Sequence, residues 1–372
     1  GSLMDLPHYT DLPNNSVVCL MSPTASGKTD LAFKLYDTGR FELISVDSAL
    51  IYEGMDIGTA KPTKDELNAY PHHLVDILPP TQSYSVANFV QDVERLIGEI
   101  HARNKIPILV GGTMMYYMAL LDGISAVPQT NPIIRNQVKI WHDEMGNKAL
   151  YDYLKQHDPV ICQKLKVTDT QRITRAVEVH LQTGKPLSHW QSTPKLAISH
   201  HPKWHWYAII VMPDRAWLHE RIEQRLQVMW ADGFLQEVIG LIKQHPNLTA
   251  DMPALRAVGY RQVLDYLIAI DHACVTAHLG LKPYYHAQKS KQNQEINSIH
   301  QDFNKKSKKT MTNTRDLACQ DMKNKALYAT RQLAKRQYTW LKQLAQTDKP
   351  TKNNLTIVSF NSIKQVEQQF LQ

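Results

Sequence analysis

The sequence predicts an α/β protein with a parallel sheet that is flanked by helices, contains a phosphate-binding loop (P-loop) and accommodates an inserted all-helical module. Three observations lead to this prediction. An apolar stretch at 17–21 leads into the loop 22–29 and then into a helical pattern. Further short apolar runs alternate with helical periodicity up to about residue 121. From 122 to 201 the pattern is mostly helical, and a strongly apolar run at 207–212 then restores the strand signal.

The remaining strands of the first half are short apolar runs that end at turns or charges. They are expected at 43–46, 74–77 and 108–110, and the last of them ends at Gly111-Gly112. The segment 87–100 has helical periodicity, so strand and helix alternate as in a doubly wound sheet. In such a sheet, ligands gather at the carboxyl ends of the strands.

The C-terminal half is expected to contain two long helices and a final strand. The segments 217–242 and 325–344 have amphipathic helical patterns, and 355–358 is a strand candidate. Between the helices, 288–314 is rich in Lys, Asn, Gln and Ser and includes the lysine-rich run 305–309. Such a segment buries too little apolar surface to offset its ordering entropy, which favours a mobile excursion or a polar extension of the flanking helices.

These patterns divide the chain into six segments. They are a tag remnant with an N-terminal lead (1–14), the first part of the core (15–121), a helical insertion (122–203), the second part of the core (204–286), a polar insertion (287–325), and a C-terminal helix and strand that return to the core (326–372).

The composition is that of a soluble globular protein, with 43% hydrophobic and 21% charged residues among 372. The four cysteines are scattered without a C-x-x-C pair, so neither a zinc site nor a disulfide framework is indicated. No apolar run has membrane-spanning length and no signal peptide is recognisable, so we expect a cytoplasmic protein without a membrane partner. Nothing marks a self-complementary apolar face, so we expect a monomer. The net charge of +7 favours an anionic partner.

The loop after the first strand has the chemistry of a phosphate site. It consists of Ser22, Pro23, Thr24, Ala25, Ser26, Gly27, Lys28 and Thr29. Its backbone N–H groups, the helix N-terminus and the Lys28 ammonium attract phosphate oxygens, and the Thr29 hydroxyl is a candidate ligand for Mg²⁺. Ser22 replaces the first glycine of the G-x-x-x-x-G-K-[ST] pattern, which matters only if that backbone needs a positive φ. The loop predicts a bound phosphate group and leaves the reaction open.

Two further polar residues follow predicted strands at the same edge of the sheet. Asp47 is a candidate general base, and the alternative is that it is the N-cap of the helix expected to follow. Thr113, after Gly111-Gly112, is either a phosphate ligand or a helix cap. The sequence pattern leaves both alternatives open.

Seven segments resemble, in the same order, segments of the bacterial tRNA dimethylallyltransferases. They are SPTASGKT at 22–29, ISVDSALIY at 44–52, MDIGTAKP at 55–62, VGGTMMY at 110–116, DTQRITRAVEV at 169–179, VGYRQ at 258–262 and TRQLAKRQYTW at 330–340. Because seven ordered matches do not arise by coincidence, the chain is identified as a member of that family. The resemblance covers residues 15–265 and 326–345.

The resemblance implies an activity and a set of catalytic residues. The family transfers a dimethylallyl group from dimethylallyl diphosphate to N6 of the adenine just 3′ of the anticodon, in tRNAs that read codons beginning with U. The loop 22–29 would therefore bind the donor's diphosphate, and Lys28 and Thr29 with Mg²⁺ would neutralise charge on the leaving group. Asp47 matches the base that accepts the proton of the adenine amine, and Thr113 matches a residue near the diphosphate and the target base.

The resemblance also implies contacts with the tRNA anticodon stem-loop. The residues are Asp47, Ser48, Ala49, Leu50, Thr113, Arg135, Gln171, Arg172, Ile173, Thr174, Arg175, Arg256, Ala257, Val258, Gly259, Tyr260, Arg261, Lys335, Arg336, Gln337 and Trp340. Cationic and aromatic side chains suit a loop whose bases are splayed out and stacked. We expect the helical module to bind RNA, and the target base and the isoprenoid to enter one channel from opposite ends.

Two alternative functions use the same loop. A small-molecule kinase would bind ATP there and use Asp47 to activate a hydroxyl, but it needs an adenine pocket and a lid arginine that the sequence does not indicate. A non-catalytic RNA-binding ATPase switch would need a Walker-B carboxylate, for which Asp76 is the candidate. The order of the motifs favours the transferase.

Overall fold

A computed structural model describes residues 6–123, 127, 130–192, 197, 201, 203–303, 314–346 and 354–372. Within these ranges six strands form one sheet in the order β3-β2-β4-β1-β5-β6, and every neighbouring pair is parallel. The strands are β1 (Ser16–Met21), β2 (Phe41–Ser45), β3 (His72–His73), β4 (Ile106–Gly111), β5 (His205–Val211) and β6 (Leu355–Phe360). The expected α/β class with a parallel sheet is confirmed.

Helices flank the sheet in the chain order expected of a doubly wound fold. The first eight are α1 (Lys28–Asp37), α2 (Lys64–Ala69), α3 (Val86–Ala102), α4 (Met114–Asp122), α5 (Pro132–His157), α6 (Pro159–Cys162), α7 (Thr170–Thr183) and α8 (Leu187–Gln191). The others are α9 (Arg215–Ala231), α10 (Phe234–Gln244), α11 (Pro253–Arg256), α12 (Tyr260–Ala269), α13 (Ala273–Thr276), α14 (Lys282–Phe303), α15 (Thr314–Ala345) and α16 (Ile363–Val366). A 3₁₀ turn at Tyr9–Asp11 and a π-helical turn at Glu367–Leu371 complete the set. None of the described helices is long and apolar enough to span a membrane.

The chain forms two compact units, residues 118–200 and residues 1–117 with 201–372. The first is helical, and α5 to α8 pack around a small apolar core that includes Val138, Leu150 and Val177. The second contains the sheet. One apolar cluster of this unit joins the sheet to α1 and the C-terminal turns, and a second cluster joins α9, α10, α12 and α15.

The strand expected at 74–77 is wrong. The strand is the pair His72–His73, which pairs with β2, and the chain leaves the sheet directly afterwards. Leu74 and Asp76 have φ values of 67° and 56°, in the left-handed region that an extended strand does not use. The apolar run therefore marks a buried turn, in which Leu74 is 6% exposed.

The helical stretch expected at 217–242 is two helices. Gly233 has a φ of 100° and stands directly before α10, so the chain turns there between α9 and α10. Helices α14 and α15 extend into the polar tract 287–325 from both sides, and Met322 of α15 is buried in the core. The lysine-rich run 305–309 lies outside the described residues.

Candidate active site

A cavity of about 700 Å³ opens at the carboxyl ends of β1, β2 and β4. It lies within the unit that contains the sheet. Its walls come from the loop 22–29, from 45–50 after β2, from 110–115 after β4, from 256–260 and from α15. Residues 58–60 and 62 also line it, so six of the seven family-like segments contribute to one site, as expected for ligands at the carboxyl edge of a parallel sheet.

The loop 22–29 has the conformation of a phosphate cradle. Gly27, the residue before α1, has a φ of 88°, and Ala25 has a φ of 64°. Ser22 is buried and is not among the residues with positive φ, so serine in place of the first glycine introduces no backbone strain. Its hydroxyl is hydrogen-bonded to that of Ser26 and closes the loop.

Lys28 lies at the start of α1 with its ammonium inside the loop. Its Nζ donates to the carbonyl oxygens of Ser22 at 3.1 Å and Pro23 at 3.3 Å. Burial, with a smaller contribution from the charge of Arg225, lowers the pKa of Lys28 to about 8, while the charge of Asp47 opposes this shift. The site is therefore an electropositive pocket, and Asp47 is the one carboxylate among the described residues that line it.

Two arginines of α9 approach the same loop, and the sequence analysis missed them. Nη1 of Arg225 donates to the Thr24 hydroxyl at 3.4 Å, and Nε of Arg221 donates to the Ala25 carbonyl at 3.0 Å. Burial lowers the pKa of Arg225, and the charge of Asp47 opposes that shift. The available signal was their i,i+4 spacing, which places both side chains on one face of a helix.

Asp47 lines the cavity directly after β2 and Val46. Its Oδ1 accepts the N–H of Ala49 at 2.9 Å, and the segment that follows is a turn rather than a helix. The helix-capping alternative therefore fails for Asp47. Its charge interacts with both Lys28 and Arg225, so the candidate base and the phosphate-binding cations share one site.

Thr113 joins the ends of β2 and β4. Its Oγ1 accepts the N–H of Ser48 at 2.9 Å, and its own N–H donates to the Val46 carbonyl at 3.1 Å. The segments at the ends of β2 and β4 can approach this closely only with glycine at position 111, because a Cβ there would lie 2.0 Å from the Val46 oxygen. The Thr113 hydroxyl thus holds the turn that contains Asp47.

Gln337 of α15 was expected to contact RNA, but its side chain is 5% exposed and bridges two segments of the site. Oε1 accepts the N–H of Thr24 at 3.0 Å, and Nε2 donates to the Gly112 carbonyl at 2.6 Å. The amide therefore ties the phosphate loop to the end of β4. Lys335, Arg336 and Trp340 are on the same helix, where Lys335 and Arg336 are exposed and Arg336 lines the cavity.

Glu237 of α10 organises another wall and was also missed. Its carboxylate accepts the N–H groups of Asp56, Ile57 and Gly58 at 2.9, 2.8 and 3.2 Å. It also accepts the hydroxyl of Tyr260 at 2.7 Å. Tyr260 lines the cavity and is fully buried. Its ring packs in the wall of the cavity and its hydroxyl contacts Glu237, whereas the sequence analysis expected Tyr260 to contact RNA.

Arg256 and Arg261 have different surroundings. Arg256 is exposed and lines the cavity together with Ala257, Val258 and Gly259. The guanidinium of Arg261 instead donates to the carbonyls of Leu255 (2.9 Å) and Ala250 and stacks on Tyr284. The Arg261 donors thus hold the loop before α12, and its expected contact with RNA stays a prediction.

The residues expected to contact RNA from the helical unit lie on α5 and α7. Arg135, Gln171 and Arg172 are exposed, and Thr174 donates its hydroxyl to the carbonyls of Thr170 and Gln171. Ile173 is fully buried in the core of this unit, so its side chain does not face RNA. Arg175 donates to the Thr130 hydroxyl.

Thr29 at the start of α1 stays a predicted magnesium ligand, and the described residues contain no group of three or more His, Cys, Asp and Glu side chains that could hold a metal ion. Thr29 is exposed in the first turn of α1 and lines the cavity. Ser45 lines the same cavity with a buried hydroxyl that makes no hydrogen bond within the described part of the chain. Oxygen donors of this kind suit a hard cation that keeps several water ligands.

Asp76, the candidate carboxylate of an ATPase, serves another purpose. It forms an ion pair with Lys61, which also pairs with Asp56 at 3.0 Å and donates to the Tyr52 carbonyl at 2.8 Å. The Lys61 side chain is 2% exposed. Asp76 is thus part of a structural ion pair under the loop 55–61.

The family model for IPP transferase matches residues 50–344. A tRNA dimethylallyltransferase of Psychrobacter sp. (strain PRwf-1) is 56% identical over 351 residues, which are 94% of this chain and 91% of the relative. One of Acinetobacter baumannii (strain SDF) is 46% identical over 331 residues, 89% and 91% of the two chains.

Solved structures agree with these relatives. The full-length tRNA isopentenylpyrophosphate transferase of Bacillus halodurans is 26% identical with a TM-score of 0.54, covering 95% of this chain and 94% of that one. A eukaryotic dimethylallyltransferase acting on tRNA shares the fold at 20% identity and a TM-score of 0.68, covering 95% and 76%. With the phosphate loop, Asp47 and Thr113 in one cavity, the chain belongs to the IPP transferase family, that of the tRNA dimethylallyltransferases.

Proposed function

We propose that the chain transfers the dimethylallyl group of dimethylallyl diphosphate to N6 of the adenine just 3′ of the anticodon, in tRNAs that read codons beginning with U, and releases diphosphate. The observation that carries this proposal is the cavity in which the phosphate loop, Asp47 and Thr113 meet. The relatives named tRNA dimethylallyltransferase support it.

The cations of the site would hold the donor by its diphosphate. The loop N–H groups, the Lys28 ammonium and the Arg225 guanidinium surround the place where phosphate oxygens bind in such loops. These charges stabilise the diphosphate as the allylic C–O bond breaks, because charge on the leaving oxygen increases in that step. Magnesium held at Thr29 would add Lewis-acid stabilisation of the same leaving group.

Asp47 would orient the acceptor and take its proton. The adenine N6 forms a bond to C1 of the dimethylallyl group, the bond from C1 to the diphosphate oxygen breaks, and one N6 proton passes to the Asp47 carboxylate. The Ala49 N–H and the Ser48–Thr113 hydrogen bond hold this turn at the end of β2. A positioned carboxylate of this kind accelerates proton transfer by about 10² to 10⁴-fold.

The exposed cations would bind the anticodon stem-loop. Arg256 and Arg336 at the cavity, Lys335 beside them on α15, and Arg135 and Arg172 in the helical unit are the side chains available for phosphate contacts. The target adenine has to leave the loop's stack to reach Asp47, and unstacking costs a few kcal/mol. We propose that a monomer carries out the whole reaction.

The test uses an unmodified anticodon stem-loop, dimethylallyl diphosphate and Mg²⁺, followed by nucleoside analysis. The proposal expects one dimethylallyladenosine, located next to the anticodon. A matched stem-loop with guanosine at that position offers no N6 amine and should remain unmodified. Modification of both RNAs, or of neither by a folded protein, would contradict the proposal.

A further inference from the structure

Arg256 is a cation of the cavity that is available to a ligand. It is exposed and lines the cavity, and its guanidinium makes no hydrogen bond or ion pair with the described part of the chain. Such a guanidinium suits a phosphate of the anticodon stem-loop. A long side chain contributes most to binding when the backbone that carries it is already held in place, because less freedom is then lost on binding.

The backbone after Arg256 is a short connection between two helices. Helix α11 ends at Arg256, and α12 begins at Tyr260 with Gly259 as its N-cap residue. The Gly259 N–H donates to Oε1 of Gln262, in the first turn of α12, at 2.7 Å. The connection 257–259 is thus attached to α12, and its position depends on the contacts that hold Tyr260.

Glu237 holds Tyr260 and the loop at 56–58 at the same time. Its Oε2 accepts the Tyr260 hydroxyl at 2.7 Å and the N–H of Gly58 at 3.2 Å. Its Oε1 accepts the N–H groups of Asp56 and Ile57 at 2.9 and 2.8 Å. Hydrogen bonds to a charged carboxylate are about twice as strong as neutral ones, so Glu237 fixes the two segments relative to each other.

The ring of Tyr260 fits closely between its neighbours. A Cβ at Gly58 would lie 2.7 Å from Cε2 of Tyr260 and 2.3 Å from Cε1 of Phe234. The Phe234 ring packs edge-on against Tyr260 at 4.9 Å between centroids. Burial raises the pKa of Tyr260, so its hydroxyl keeps its hydrogen and remains the donor to Glu237. Contacts with Gly58, Phe234 and Glu237 therefore fix the start of α12.

We propose that Glu237 is a positioning residue that acts through Tyr260 and the connection 257–259 to place the Arg256 guanidinium against a phosphate of the anticodon stem-loop. This inference rests on the proposed function, in which Arg256 binds that RNA. The cations assigned to the diphosphate are held by other contacts, since Lys28 and Arg225 both donate to residues of the loop 22–29. Loss of the Glu237 carboxylate should therefore weaken RNA binding and leave diphosphate binding unchanged.

The experiment measures two affinities of the full chain. Fluorescence anisotropy of a labelled, unmodified anticodon stem-loop gives the RNA affinity over a series of salt concentrations, and calorimetry gives the affinity for inorganic diphosphate. Glu237→Gln keeps the side-chain volume but turns an N–H₂ group towards donors. It should weaken RNA binding about tenfold, which corresponds to about 1.4 kcal/mol, and should lower the salt slope by about 1, the value of one phosphate contact. Tyr260→Phe removes one of the four hydrogen bonds and should have a smaller effect in the same direction.

A double variant separates positioning from a general structural role. Arg256→Ala removes the guanidinium itself, so adding Glu237→Gln to Arg256→Ala should weaken RNA binding little further. Glu99→Gln is the matched control, because it makes the same chemical change at a glutamate that pairs with Arg95 on its own helix at 3.0 Å. This control should bind the stem-loop and diphosphate as the unsubstituted chain does.

Unchanged RNA affinity in Glu237→Gln would overturn the inference. The same follows if Glu237→Gln causes its full loss in the Arg256→Ala background, or if diphosphate affinity falls in parallel, because Glu237 would then act through the fold as a whole and not through Arg256. The two binding assays contain no prenyl donor and no transfer step. They can therefore contradict this inference while the transfer assay still supports the proposed function.

Discussion

Replacing Gln337 with leucine should disconnect the phosphate loop from the end of β4. The substitution keeps most of the side-chain volume but removes the acceptor for the Thr24 N–H and the donor for the Gly112 carbonyl. Each buried group left unpaired costs about 1 to 3 kcal/mol, and Thr24 is only partly buried. We expect the free energy of unfolding to fall by about 2 to 4 kcal/mol in total. The KM for dimethylallyl diphosphate should rise, because the loop loses its attachment.

Urea unfolding followed by circular dichroism and steady-state kinetics with varied donor measure the two effects. Gln337→Glu is informative because one oxygen still accepts from Thr24 while the other faces the Gly112 carbonyl, so it should also be impaired. Gln332→Leu, on the same helix, controls for the loss of a glutamine as such. An unfolding midpoint and a donor KM unchanged in Gln337→Leu would refute the assigned role.

Three further predictions concern the charged groups of the site. Because burial lowers the pKa of Lys28 to about 8 and the ammonium is the binding form, affinity for the donor should be constant below that pH and fall as the pH rises through it; a titration of Kd against pH checks this, and a pH-independent Kd contradicts it. Asp47→Asn keeps the acceptor for Ala49 and should lower kcat by about 10² to 10⁴-fold with tRNA affinity preserved; lost binding with normal turnover would count against a base. Arg225→Lys keeps the charge but loses the planar fork, so the donor KM should rise about tenfold in initial-rate assays, and a change confined to the RNA KM would argue against diphosphate contact.

Local patterns predicted the sheet but not the points where the chain leaves it. The apolar runs that became β1, β2, β4, β5 and β6 were found from sequence because buried parallel strands are continuously hydrophobic. The run at 74–77 is also mostly apolar, yet Leu74 and Asp76 adopt left-handed conformations there, and Asp76 forms an ion pair with Lys61. Gly233 was visible in the sequence, but its positive φ was not.

The site was predictable where a motif carries its own chemistry. The loop 22–29, Asp47 and Thr113 were found in this way, and the structure brings them together. Arg225 and Gln337 reach the loop from helices about 200 and 310 residues further along the chain. Only tertiary packing reveals such contacts. From sequence alone, a polar residue on a helix is predicted to be exposed to solvent.

The central claim is that the loop 22–29 binds dimethylallyl diphosphate rather than ATP. One paired measurement tests it. Intact-mass analysis of an anticodon stem-loop is run with this chain and Mg²⁺, once with dimethylallyl diphosphate and once with ATP. The account predicts a mass gain of one dimethylallyl group in the first tube, with one diphosphate released for each modified RNA, and neither modification nor hydrolysis in the second. ATP hydrolysis or phosphate transfer, with an RNA unchanged by the prenyl donor, would contradict it.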